Sequence, residues 1–112
     1  MKIGIIGFGF VGKAIFEFFK NIVDVKVYDI KKNEITVNSI KDLLDDRIIF
    51  LCLPTPMKKT GECDTSIIES VLGDLNNLSS KSKSNIIIKS TIPPNGTDSF
   101  IKKYQNLEIC FN

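Results

Sequence analysis

Apolar and polar positions along this chain follow two different periods. Short apolar runs bounded by turn residues recur at Lys2–Gly7, Val25–Asp29, Ile48–Leu53, Ile86–Lys89 and Leu107–Phe111. Each is rich in Ile, Val, Leu or Phe, the pattern of strands buried on both faces. Ile35-Thr36-Val37 is a candidate sixth strand, shorter than the others. Between the runs the period lengthens to that of a helix. Val11, Ala14, Ile15, Phe18 and Ile22 form one apolar stripe, with Lys13, Glu17 and Lys20 opposite, so that stripe is expected to face the core and Phe16 to be an exposed aromatic. Ser39 to Asp42 and Ser66 to Glu69 have the form of capping boxes, opening a short helix through Leu44 and a longer one along Ile67, Ile68, Val71, Leu72 and Leu75. Asn95-Gly96-Thr97 caps a last helix through Tyr104.

Strands alternating with helices require crossover connections, hence a parallel sheet with helices on both faces. The expected fold is α/β: a single Rossmann-type doubly wound domain over residues 1–112, with a mainly parallel sheet of five or six strands. The Ser/Lys-rich stretch Leu78–Asn85 reads as a solvated loop.

Four of the seven glycines fall within the first twelve residues, at positions 4, 7, 9 and 12. Gly7-Phe8-Gly9-Phe10-Val11-Gly12 matches G-x-G-x-x-G, and it sits between a predicted strand and a predicted helix, where that pattern has physical meaning. Gly7 permits a tight turn, Gly9 lets main chain approach a pyrophosphate, and Gly12 lets the helix pack closely on the strand. The helix N-terminus then presents unpaired N–H groups and partial positive charge to phosphates. Asp29 closes the second strand near the ~20-residue spacing at which a carboxylate meets a ribose 2′-hydroxyl. Such a carboxylate repels a 2′-phosphate, which favours NAD over NADP; Lys31 and Lys32 nearby weaken that preference.

Composition narrows the classes. Among 112 residues the net charge is +2 and the basic residues are scattered, so no nucleic-acid stripe forms. No apolar run approaches the ~20 residues of a membrane span, and the glycine-broken N-terminus, lacking a small-residue cleavage site, does not read as a secretory signal. Three widely spaced cysteines, Cys52, Cys63 and Cys110, fit a reduced cytoplasmic protein. Cys52 and Cys110 are expected to be inert packing, with Cys63 in a loop. There is no histidine, which removes histidine-based nucleophile pairs, histidine-ligated zinc and a histidine general base. No metal site is expected.

Two loops follow later strands at the carboxyl edge of the sheet: Leu51-Cys52-Leu53-Pro54-Thr55-Pro56 and Lys89-Ser90-Thr91-Ile92-Pro93-Pro94. Each sets a threonine hydroxyl beside a proline-stiffened turn, where it either donates to a ligand or merely accompanies the end of a strand. "KIGIIGFGFVG", "VYD", "LCLPTP" and "IIKSTIPP", in that order, resemble the N-terminal NAD-binding domain of the UDP-glucose/GDP-mannose dehydrogenase family. The resemblance spans essentially the whole chain. It implies an oxidoreductase that converts the C6 alcohol of a nucleotide sugar to a carboxylate with NAD. By position it places Gly7, Phe8, Gly9, Phe10, Val11 and Gly12 at the pyrophosphate, Asp29 at the adenosine ribose and Thr55 near the nicotinamide. Thr91 it places beside the reacting centre, helping to hold water and cofactor and not serving as a nucleophile.

Departures from that pattern are equally specific. Phe10 replaces a common Tyr, Glu34 stands where a lysine is usual, the stretch between Asp29 and Ile48 is short, and Asn95 is an extra residue before Gly96-Thr97. The family's catalytic glutamates, lysine, asparagine and cysteine lie beyond Asn112, so the 112 residues alone are expected to bind NAD and oxidise nothing. A nucleotide-sugar substrate, in a complete enzyme, is the implied partner; a homo-oligomer or a missing C-terminal domain stays open. A non-catalytic NAD-sensing module explains the glycine turn and Asp29 as well, but not the paired threonine loops. A related β-hydroxyacid dehydrogenase domain is the third alternative.

Overall fold

The computed structural model describes residues 2–29, 43, 48–61, 64–78, 84–90 and 96–111. The candidate strand at Ile35–Val37, the helix opening at Ser39, Cys63, Thr91 and Asn95 lie outside the described residues.

In chain order the elements are β1 (Lys2–Ile6), α1 (Phe10–Phe19), β2 (Asp24–Tyr28), β3 (Ile48–Leu51), α2 (Ser66–Leu78), β4 (Ser84–Ile88), α3 (Gly96–Lys103) and β5 (Leu107–Phe111). The five strands form one sheet in the order β2-β1-β3-β4-β5, every neighbouring pair parallel. β1 pairs with β2 on one side and β3 on the other, so the strand order reverses at β1. That reversal is where open α/β sheets bind ligands, beyond the carboxyl ends of the strands. Past the strand ends the ladder continues for one rung: Gly7 N–H donates to Tyr28 O (2.8 Å), Cys52 N–H to Ile6 O (2.8 Å) and Lys89 N–H to Leu51 O (2.9 Å). The loops that follow therefore start from a common, fixed edge.

The two faces of the sheet are unequal. Ile6, Ile49, Leu51, Ile86, Ile88, Leu107 and Ile109 project to one face and pack with Ile68, Leu72 and Leu75 of α2, Phe100 of α3, and Tyr104. The other face carries a small cluster, Ile5, Phe8 and Val27, with Ile15 and Phe16 of α1 against it. At the edge strand β5 the expectation of burial on both faces fails, because Glu108 and Cys110 are exposed while Leu107 and Ile109 are buried. α1 alone, among the described helices, covers that second face, and it lies over β1 and β2. Cys110 is accordingly exposed rather than packed.

α1 is also turned relative to its expected orientation. Phe18 is 67% exposed and Ile22 66%, and Val11 and Ala14 are exposed too. Phe16, expected outside, is half-buried and meets Phe8 edge to face with centroids 5.6 Å apart, while Phe19 stacks on Phe50 at 6.2 Å. The cause is Gly12. Its missing Cβ would meet the carbonyl oxygen of Gly7, so this residue must point at β1. Residues one and two turns on, Ile15, Phe16 and Phe19, then follow it inward.

At α2 the cap lies one residue earlier than the capping-box reading. Thr65 O accepts from Glu69 N–H (2.9 Å), and Thr65 Oγ1 donates to Glu69 Oε2 at 3.1 Å. Asp64 Oδ1 accepts from Ser66 N–H at 3.0 Å, and hydrogen bonding to Ser66 holds the Asp64 carboxyl below its usual range.

Candidate dinucleotide site

The glycine turn is built around three different geometric demands. Gly7 has φ +98°, the left-handed region that side chains avoid, and a Cβ there would run into the Cys52 carbonyl. Gly12 has no room because the Gly7 carbonyl presses on it. Gly9 is different: nothing lies within 4 Å of where its Cβ would be. Its glycine character is not needed by the protein's own packing. The open volume beside it is what a bound phosphate would use.

Gly9 is the N-cap of α1 and offers no side-chain cap, and the first turn has no acidic residue. The leading N–H groups of a helix have no intrahelical partner, so this end is built to receive an anion. Lys13 Nζ lies 5.8 Å from the Phe8 ring centroid, adding positive charge close to the same turn.

Asp29 stands one residue past β2, and its Oδ2 accepts the main-chain N–H of Phe8 at 2.7 Å. The carboxylate thus braces the turn. A carboxylate accepts from several donors at once, so this bond is compatible with a ribose hydroxyl on the same group.

These elements open onto a cleft of about 850 Å³ at the carboxyl edge, within the ~300–1,000 Å³ usual for small-ligand sites. Gly7, Gly9, Phe10, Val11, Asp29 and Thr55 all line it, although they come from three separate segments of the chain. Phe8 and Gly12 contribute from beneath: the Phe8 ring is buried in the small cluster and Gly12 is buried under Gly7. Phe10 is 98% exposed at the mouth. Thr91 lies outside the described residues.

Other residues line the cleft that the sequence pattern does not mark as site residues. Ser66, Ser70 and Asp74 come from one side of α2; their spacing of one helical turn is a legible signal, overlaid by the capping-box pattern at Ser66 and the apolar stripe on the same helix. Cys52 lines the floor, where burial raises its thiol from the ordinary 9.0 to about 11 against the opposing pull of Lys89. A thiol so held is a poor nucleophile at neutral pH. Ser90 also lines the cleft and is a buried polar residue, at 7% exposure. Among the described residues no group of His, Cys, Asp and Glu could hold a metal ion, and no helix is long and apolar enough to cross a membrane.

The profile of the UDP-glucose/GDP-mannose dehydrogenase family, NAD binding domain, matches residues 36–109. UDP-glucose 6-dehydrogenase of Campylobacter jejuni is 31% identical over an alignment of 143 positions that takes in all of this chain and 36% of that protein. The alignment is longer than the 112 residues here. GDP-mannose dehydrogenase of Pseudomonas aeruginosa, solved as a ternary complex, superposes with a TM-score of 0.78 at 18% identity, covering 99% of this chain and 35% of that one. An imine reductase of Bacillus cereus superposes nearly as well, with a TM-score of 0.77 at 16% identity over 98% of this chain and 39% of that one. Likeness of fold therefore does not choose among substrates. The chain spans about a third of the length of the dehydrogenases it matches. The open cradle at Gly9, the bracing carboxylate and the cleft between them suit NAD, and the chain belongs to the UDP-glucose/GDP-mannose dehydrogenase family, as its NAD-binding domain.

Proposed function

We propose that this chain is the NAD-holding part of a nucleotide-sugar 6-dehydrogenase that oxidises the C6 alcohol of a UDP-sugar. The observation that carries the reading is the empty space at Gly9, bounded by the start of α1 and by Asp29, in a chain 31% identical over its full length to a UDP-glucose 6-dehydrogenase. NAD, when bound, supplies the hydride acceptor.

The chain's own residues bind and orient. Main chain from Gly9 to Val11 holds the pyrophosphate through N–H groups. Asp29 accepts from the adenosine ribose and disfavours a 2′-phosphate. Thr55, on the β3 loop, faces the nicotinamide half. Thr91 holds a water and the cofactor beside the reacting carbon. Groups outside these 112 residues, a missing C-terminal domain or a second chain, supply the nucleophile and the sugar contacts. The setting is the reducing cytoplasm, where the cysteines stay as thiols.

Calorimetric titration of the purified chain with NAD tests the binding role. Micromolar to millimolar affinity is expected, with NADP weaker; no heat at millimolar NAD would remove the reading. Production of NADH from UDP-glucose by these 112 residues alone would contradict the assignment of catalysis to groups elsewhere.

A further inference from the structure

We propose that Ser90 is a positioning residue: its hydroxyl fixes the Thr55 loop against the cleft and so sets how the nicotinamide half of NAD is held. This rests on the reading of the chain as an NAD-holding domain.

The regular ladder between β3 and β4 ends where Lys89 N–H reaches Leu51 O. Two residues further along the β3 loop, Leu53 has left the strand, and its main-chain groups still need partners. Ser90 Oγ provides both. It accepts the Leu53 N–H at 2.9 Å and donates to the Leu53 carbonyl at 2.5 Å. One hydroxyl thus substitutes for the missing rung, joining two loops that are 37 residues apart in sequence. A hydroxyl suits the task because it both donates and accepts from a single atom, and at 7% exposure there is little water to replace it.

The consequence reaches the ligand through proline. Pro54 and Pro56 flank Thr55 and fix φ on both sides of it. With Leu53 clamped and the next residues stiff, Thr55 has little freedom to adjust. Thr55 and Ser90 both line the cleft. Ser90 needs no direct contact with the cofactor to govern affinity; it acts by holding Thr55 in place.

The discriminating experiment compares NAD with ADP-ribose, which has the adenosine and both phosphates but no nicotinamide. In calorimetric titrations of the full chain, Ser90→Ala is expected to weaken NAD about fivefold, as loss of one clamping hydroxyl implies, and to leave ADP-ribose within about twofold. Ser90→Thr, which keeps the hydroxyl, is expected to restore most of the NAD affinity. Equal weakening of both ligands would mark Ser90 as a general structural residue and overturn the proposal, as would no change in either. Should Ser90→Ala fail to fold, Ser90→Cys gives the same comparison, since a thiol donates and accepts only weakly. If the unmodified chain binds neither ligand, the NAD reading itself fails; if it binds both and the variants do not separate them, only the role of Ser90 does.

Discussion

Asp29 and Phe8 are joined by a 2.7 Å hydrogen bond that ties the end of β2 to the glycine turn after β1. The donor is main chain and Phe8 is buried, so removing the acceptor strands an N–H away from water. Asp29→Ala is expected to lower stability by about 1–3 kcal/mol and to weaken NAD about tenfold or more through the lost ribose contact. Asp29→Asn keeps an acceptor without the charge. It should recover most of the stability in thermal denaturation but little of the affinity in calorimetry. Equal recovery of both would show that the carboxylate only braces the turn.

The three glycines of the turn are expected to respond differently to one methyl group. Gly7→Ala and Gly12→Ala place a Cβ onto main-chain carbonyls, of Cys52 and Gly7 respectively, and both should unfold the chain or lower its melting temperature severely. Gly9→Ala meets nothing in the protein. It should fold normally by circular dichroism yet lose NAD binding, because the methyl enters the volume a phosphate needs. A Gly9→Ala chain that binds NAD normally would place the phosphates elsewhere.

The rotation of α1 has a direct test. Ile22→Lys alters an exposed position and should change stability by no more than about 0.5 kcal/mol, and Phe18→Glu, which also loses an edge contact with Phe19, by about 1 kcal/mol. Phe16→Ala removes an edge-to-face contact with Phe8, and Phe19→Ala a stack on Phe50; each should cost about 2–3 kcal/mol, below the range for a fully buried Phe. Urea melts that showed the reverse ranking would restore the orientation expected from the apolar stripe.

Cys52 gives a pH dependence with a definite sign. Its thiol ionises near 9.0 in the unfolded chain and only near 11 when folded, so the unfolded state gains the charge first. Its contribution to stability is complete below pH about 9 and is lost as pH rises toward about 11. The difference in melting temperature between the parent chain and Cys52→Ala should narrow or invert across that window and stay constant below it. At pH 8, peptide mapping after brief iodoacetamide treatment should find Cys110, which is exposed, modified before Cys52.

Much of this architecture was readable from spacing alone. All five described strands fall where short apolar runs end in turn residues, and the glycine turn lies between strand and helix as its pattern requires. The orientation of α1 was not readable from apolar count. Of the expected stripe Val11, Ala14, Ile15, Phe18 and Ile22 only Ile15 packs on the sheet, because a single steric contact at Gly12 outweighs the rest. In a short helix the closest main-chain approach fixes the rotation, and hydrophobic side chains accept the face that remains. Ser90 is a different case. The motif around it marks the loop and not this hydroxyl, whose importance comes from a carbonyl and an N–H in a remote loop, which only tertiary structure brings near.

The pairing of β1 with β3, Ile3 opposite Ile48 and Ile6 opposite Leu51, carries a consequence for synthesis. Among the described strands no two neighbours are joined by a hairpin, and the cleft draws on Gly7 and on Ser90 together. The segment from Gly7 through Ser90 must therefore have left the ribosome before a dinucleotide has anywhere to settle. The cofactor cannot template the early stages of this domain's folding; it can only select the assembled sheet, and its effect should appear as protection of the folded domain from proteolysis.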